Sequence, residues 1–395
     1  MRRREDLDID VFRRHERKRP PRRAATPWLL AALLLVAVFP GDARGQEWIV
    51  APPPRPEQDQ RAPRIAKPAE DLFSVNTTLF GILQWAAKSD VAQGSVFGAS
   101  SLDVTFTVRP TDTMRIFVDV EALVGPGADA KLGTLSRLND GSEDLLGKDK
   151  TVRLFKLIVR QSWLEDRILL SVGKLDVEDY FDRNAFAEEA STQFLSNALV
   201  TSPMLRSPVN GPGAALRVSW GDWHYGFGVH GQNDVDGDLS GLPFIVGEVG
   251  RRNIFSLRGH YRWWTRVNAV PEDHRRVTWG TGVSIDQLVT PSLGVFVRAG
   301  LSRSQGERAT SYAWSAGVQF TPPWLGGKDA LGIGYSHQQE SDARERMAEA
   351  YYRFFLADWL LLVADVQWVL SGPNRITGGT NHNLVVPSLR ALLQF

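Results

Sequence analysis

The chain has 395 residues, 43% of them hydrophobic, with a formal net charge of +1 and no cysteine. The missing thiols exclude a disulfide-stapled domain, a thiolate metal site and a Cys nucleophile. No apolar run reaches the roughly 20 residues of a membrane helix, and 13 Trp, 7 Tyr and 19 Phe exclude a solvated coil.

The N-terminus is rich in arginine, from Arg2, Arg3 and Arg4 through Arg22 and Arg23. An apolar run follows from Trp28 to Phe39, then small residues ending at Ala43-Arg44-Gly45. This is the order of a secretory signal peptide, expected over residues 1–45 with cleavage after Gly45 or Ala43. Removing 1–45 takes away 11 Lys/Arg and 6 Asp/Glu, so the mature chain carries 35 against 39, a net of −4. No basic excess remains for a nucleic-acid partner. Residues 46–70 hold Pro52, Pro53, Pro54, Pro56, Pro63 and Pro68 and read as an extended periplasmic linker.

From residue 71 the dominant period is two. Leu102, Val104, Phe106 and Val108 share one face; Met114, Ile116, Val118 and Val120 share another, opposite Arg115, Phe117, Asp119 and Glu121. Tyr312, Trp314, Ala316, Val318 and Phe320 alternate with Ala313, Ser315, Gly317 and Gln319. These are strand patterns. One face is bulky and aromatic, as a lipid-facing wall requires. The other carries charges and glycines, and glycine at this spacing points to a crowded interior or a close backbone approach.

Sixteen such stretches divide 71–395: 75–86, 95–108, 113–123, 151–163, 167–174, 213–220, 223–231, 243–249, 254–264, 276–286, 292–301, 311–320, 330–338, 347–356, 359–369 and 384–395. Connections after even stretches are short. Those after odd stretches are mostly longer: 124–150, 175–212, 232–242, 265–275 and 370–383. The pattern predicts an all-β, antiparallel, up-and-down transmembrane barrel with short periplasmic turns and longer outer loops. Sixteen strands enclose a water-filled channel rather than a packed core. The last strand ends on Phe395, the aromatic terminus typical of barrels handled by the outer-membrane assembly machinery.

The third outer loop, 175–212, is rich in aromatics and charges and is expected to fold into the lumen. Val172-Gly173-Lys174-Leu175-Asp176, Tyr180-Phe181-Asp182-x-Asn184-x-Phe186, Phe194-Leu195-Ser196-Asn197 and Gly211-Pro212-Gly213 resemble the carbohydrate-selective porin family. So do Glu349-x-Tyr351-Tyr352-Arg353-Phe354, Asp365-Val366-Gln367, Gly372-Pro373 and the run from Val386 to Phe395. Ala364 stands where the pattern has proline, and Ser371-Gly372-Pro373 replaces a Pro-Gly order. The resemblance covers most of 71–395 and implies passive diffusion of mono- and oligosaccharides across the outer membrane of a Gram-negative bacterium.

Alternation turns Arg115, Asp119, Glu121, Lys156, Arg160, Arg258, His260, Arg262, Asp286, Arg298, Glu349, Arg353, Asp365, Gln367 and Arg390 inward. With Lys174, Tyr180, Phe181, Asp182 and Asn184 of the loop and its approach, most of these form the candidate sugar-contacting pore lining. Mixed signs make no single-charge ring. Phe117, Tyr351 and Phe355 offer flat faces to sugar C–H edges. Pairing of the same charges across strands, merely bracing the wall, is the competing expectation.

Other patterns carry less. Gly226-Phe227-Gly228-Val229-His230-Gly231 fits GxGxxG but lies inside a strand with no helix after it. Asp234-Val235-Asp236-Gly237-Asp238 misplaces the glycine of a calcium loop. His224 and His230 lack a third metal ligand. No catalytic residue, metal or cofactor is expected. Expected partners are sugars, outer-membrane lipid and lipopolysaccharide, and the assembly machinery, with the barrel monomeric or trimeric. The alternatives are a channel for another small solute, a barrel enzyme or an envelope anchor.

Overall fold

A computed structural model describes residues 72–142, 150–231, 243–270, 273–306, 309–323, 328–340 and 343–395. The expected signal peptide 1–45, the Pro-rich linker 46–70 and the acidic stretch 234–238 lie outside the described residues.

Period-two hydropathy becomes sixteen strands. They are β1 (Phe73–Trp85), β2 (Val96–Thr111), β3 (Met114–Val124), β4 (Lys150–Trp163), β5 (Ile168–Leu175), β6 (Gly211–Trp220), β7 (Trp223–His230) and β8 (Phe244–Arg252). Then follow β9 (Gly259–Val270), β10 (Asp273–Thr290), β11 (Leu293–Ser304), β12 (Ser311–Phe320), β13 (Ala330–Glu340), β14 (Ala343–Ala357), β15 (Leu360–Pro373) and β16 (Thr380–Gln394). Each pairs antiparallel with its chain neighbours, and β1 closes on β16 from Thr78↔Gln394 to Gln84↔Ser388. Closure leaves no edge strand, which a sheet in lipid cannot tolerate.

Large apolar side chains stay exposed on the outward face, Leu79, Leu83 and Trp85 on β1 among them. Trp220 and Trp223 flank the two-residue turn between β6 and β7, where an interfacial girdle belongs.

The even-to-odd connections are short, as expected, running from 112–113 through 358–359. The outer side departs from expectation. Connections 86–95, 125–149, 176–210 and 231–243 are long, but 271–272, 305–310, 341–342 and 374–379 are not. Most of the expected loops 265–275 and 370–383 is strand. Beyond the lipid both faces of a hairpin meet water, so hydropathic contrast vanishes although pairing continues. On the other side, β8 runs to Arg252 and β9 starts only at Gly259, so the turn is longer than expected.

The lumen is not lined by polar groups alone. Phe80, Ile82, Phe296, Val363, Val386 and Leu392 point inward and are buried. They pack against apolar side chains of connection 176–210 and of its neighbours on the wall.

Candidate functional site

Connection 176–210 has little regular structure beyond α2 (Asn197–Val200). Its peptide groups need partners wherever it leaves water. The wall from β8 to β16 supplies them. Asp182 is the hub, in left-handed backbone (φ +60°). Its N–H donates to Glu248 (2.9 Å), and its carboxylate accepts from Trp264 Nε1 (2.8 Å) and from the Ser202 N–H (2.8 Å). The same carboxylate pairs with Arg298 at 3.0 Å. Arg298 also donates to the carbonyls of Leu199 (2.7 Å), Asp182 (2.9 Å) and Ala187, and to Glu188 (3.1 Å). A planar fork that reaches several acceptors at once is what arginine offers and lysine does not.

Arg390 repeats this farther along the wall, donating to the carbonyls of Ala190 (2.5 Å) and Gln193 (2.8 Å) and approaching Asp365 at 3.4 Å. Glu349 accepts the N–H groups of Leu195 (2.5 Å) and Ser196 (3.0 Å). Asn184 donates to Ser284 Oγ (3.2 Å).

The inward glycines are seats for loop aromatics. A Cβ on Gly228 would stand 2.7 Å from the Phe181 ring, and one on Gly294 would stand 2.2 Å from that of Phe186. Gly226 and Gly228 of the GxGxxG pattern therefore make room for a phenyl ring.

The second outer connection enters the lumen too, which the sequence did not announce. It carries α1 (Asp129–Leu132), and its Leu132, Leu138 and Asn139 are fully buried. Glu345 accepts the N–H groups of Leu135 (2.7 Å) and Ser136 (2.9 Å), and Gln367 donates to the Leu138 carbonyl (2.8 Å). The two connections meet where Ser196 Oγ donates to the Arg137 carbonyl (3.1 Å) and Asn197 donates to Asp140 (3.0 Å).

The wall from β2 to β6 differs. Its polar side chains mostly pair with each other, as Arg153 with Glu121 (2.5 Å) and Thr105 with Asp119 (3.2 Å). Lys156 reaches the loop, at 2.6 Å from Asp179 and 4.0 Å from Asp176. Arg160 lies over the Phe117 ring at 4.9 Å. A cavity of about 30 Å³ opens between Tyr180 and Phe181 of the loop and Arg160, Arg217, His224 and Glu248 of the wall. That is the space of about one water. Burial and neighbouring carboxylates raise the loop's Asp176 and Glu178 above the ordinary range, Glu178 to about 8.

The expected lining thus divides. Asp182, Asn184, Arg298, Glu349, Gln367 and Arg390 are buried and hold loop backbone. Asp365 accepts from Ser388 (3.1 Å) beside Arg390, and Arg262 pairs with Asp286 (2.8 Å), which also meets His260 (2.7 Å). Phe181 is buried against the glycines of β7. Asp119, Glu121, Arg160 and Tyr180 lie on the opposite side of the loop, toward β2–β6. Arg115 and Arg353 are half-buried on β3 and β14.

Two placements are corrected. Arg258 is exposed in the turn between β8 and β9, because β9 begins one residue later. Lys174 is paired with outward-facing Leu157 and donates to the Leu154 carbonyl (2.5 Å), so the register turns it away from the lumen. Glu345, Trp264 and Glu248 were missed as loop anchors. Glu345 lies beyond the end expected for its strand, and alternation alone would have turned Trp264 inward beside lipid-facing Trp263. His224 bonds Glu248 (3.1 Å), and His230 Nε2 accepts the Gly211 N–H (3.0 Å).

Comparison with known proteins meets this geometry. The family model described as carbohydrate-selective porin, OprB family, matches residues 125–262 and 255–395. An uncharacterized protein of Aquifex aeolicus (strain VF5) is 24% identical over 238 residues, which is 60% of this chain and 70% of the relative. The high-pH structure of Pseudomonas putida OprB superposes with a TM-score of 0.64 at 13% identity, over 82% of this chain and 94% of that one. An OmpF of Salmonella typhi in complex with daunomycin gives 0.53 at 9% identity, over 82% and 97%. These structural likenesses concern the fold.

Proposed function

The chain belongs to the carbohydrate-selective porin family, OprB, and from that premise we propose how its lumen passes sugar. It is an outer-membrane sugar porin. Sugars pass along the β2–β6 side of the loop, where Asp119, Glu121 and Arg160 line the wall and the Lys156–Asp179 pair (2.6 Å) and Tyr180 narrow the path. The observation that carries this reading is the asymmetry of the lumen. One wall binds the loop's backbone, while the other presents charged groups of both signs that can exchange hydrogen bonds with sugar hydroxyls. Loop groups already bonded to the wall set the width of the path rather than touch the solute.

In the same reading the channel acts without catalysis and the mature chain starts after Gly45. Phe395 closes the strand offered to the assembly machinery, the outward face meets outer-membrane lipid and lipopolysaccharide, and the barrel works as a monomer or a trimer. Purified protein in planar bilayers is expected to conduct. Glucose and maltose-type sugars are expected to reduce the current and to swell proteoliposomes, and organic anions to compete weakly. A barrel that conducts ions but neither admits nor is blocked by sugars would defeat the proposal.

A further inference from the structure

The lipid-facing side of the β13–β14 hairpin carries a feature that sugar passage does not use. Along β14 the outward positions run Arg344, Arg346, Ala348, Ala350, Tyr352, Phe354 and Leu356. Both arginines are exposed, and both sit at the end of the strand next to connection 341–342. The opposite end of the same face is wholly apolar and aromatic. The register sets Arg346 across from His337 and Arg344 across from Gln339. Arg344 Nε donates to Gln339 Oε1 (2.9 Å) and Arg346 Nε to Ser371 Oγ (3.1 Å). These bonds fix each guanidinium through its inner nitrogen, so the terminal nitrogens are the donors for a ligand.

Beside them stand stacked rings. His337 lies nearly parallel to Tyr312 (5.8 Å, 14°) and to Trp314 (6.1 Å, 11°). Rings at this height mark the boundary between acyl chains and headgroups. Among the described residues, no carboxylate lies within ion-pair distance of Arg344 or Arg346. Glu340 of the same hairpin is engaged with Arg375 (3.0 Å) and Arg206 (3.9 Å), and Glu345 is turned to the lumen and bonds the second connection. Two fixed guanidinium groups on a lipid-facing surface, level with an aromatic band, match a phosphate carried at headgroup height. The small side chains of Ala348 and Ala350 beneath them leave space for an acyl chain.

We propose that this face binds the phosphorylated glucosamine headgroup of a lipid A molecule in the outer leaflet. The proposal rests on the porin reading that places the odd-to-even connections on the outer side. The test uses the full mature porin, released in mild detergent and analysed by native mass spectrometry. Its probes are bisphosphorylated lipid A, dephosphorylated lipid A and phosphatidylglycerol. The variants are Arg344→Gln with Arg346→Gln, and Arg251→Gln, an arginine at the other rim that lies over Trp223 at 5.3 Å. Each variant is first shown to keep the heat-modifiable migration of a folded barrel and its ion conductance.

The expected result is that bisphosphorylated lipid A binds the wild type and the Arg251 variant alike, and the double variant about ten-fold or more weakly. Equal binding by the double variant overturns the proposal. So does equal affinity for dephosphorylated lipid A or for phosphatidylglycerol, since the phosphate pair or the glycolipid would then not be read. Loss confined to the Arg251 variant overturns it through the sidedness of the barrel. Failure of sugar permeation in the wild type would be seen separately in bilayers and would strike the porin reading, not this site.

Discussion

The two walls of the lumen use the same residue types for different work. On β8–β16, arginine and glutamate are buried and bonded to loop backbone: Arg298, Arg390, Glu345 and Glu349 each serve two or more peptide groups. On β2–β6, Lys156, Arg153, Asp119 and Glu121 pair side chain to side chain and stay mostly half-buried. An irregular segment inside a barrel can keep its shape only if its peptide groups are satisfied, and charged side chains do this at long reach. Inward charge is therefore not a signature of solute contact. What distinguishes the walls is that β8–β16 turns several of its charges to loop backbone, whereas β2–β6 pairs its charges side chain to side chain.

Breaking the gripping wall should have the largest effect. Arg298→Ala leaves the Asp182 carboxylate and three loop carbonyls short of their donor. Stranding a buried charge of this kind costs about 3–5 kcal/mol. Single-channel records should show a larger, noisier conductance and weaker discrimination among sugars, with Arg298→Lys between the variant and the wild type. Gly294→Val should act in the same direction through packing alone. Its Cβ meets the Phe186 ring, and overpacking costs about 1–3 kcal/mol.

On the other wall, substitutions should move selectivity without moving the loop. Lys156→Gln removes a cation facing Asp176 and Asp179. A partly hydrated pair is worth about 1 kcal/mol or less, so thermal stability should hardly change. Reversal potentials in a salt gradient should shift toward cations. The smallest effect is the pH response. Glu178 and Asp176 are raised by burial, so they stay protonated at acid pH and charge as the pH climbs toward about 8. Raised carboxylates stabilise the seated loop below the ordinary carboxylate range and lose that contribution as pH rises through their folded values. Cation preference should accordingly increase from acid to mildly alkaline pH, and Glu178→Gln should flatten the trend.

The fold was almost wholly legible. Sixteen alternating stretches became sixteen strands, because lipid on one side and a crowded lumen on the other enforce period two at every position in between. It failed where that contrast ends. The polar run Asp273-His274-Arg275 read as loop, yet it is the start of β10. The inward glycines were legible as sites of close approach, and Phe181 and Phe186 are what approach them. The site was less legible. Alternation says which residues point inward, but not which of them meet a loop folded across the lumen, since loop docking depends on contacts about 100 positions apart, such as Arg298 with Leu199 or Asn184 with Ser284. Entry of connection 125–142 had no sequence signal, because its buried groups are held by Glu345, Asn374 and Asn381 from the far end of the chain.

The central claim is that the third loop stays fastened to the β8–β16 wall while sugar passes on its other side. The native chain has no cysteine, so one engineered pair tests it on a clean background. Asn184→Cys with Ser284→Cys replaces two side chains already in contact at 3.2 Å. Oxidation should link the loop to β10 and leave sugar flux in proteoliposomes the same as in the reduced protein. A flux that collapses on oxidation and returns on reduction would show that the loop must leave this wall for sugar to pass, and would contradict the account.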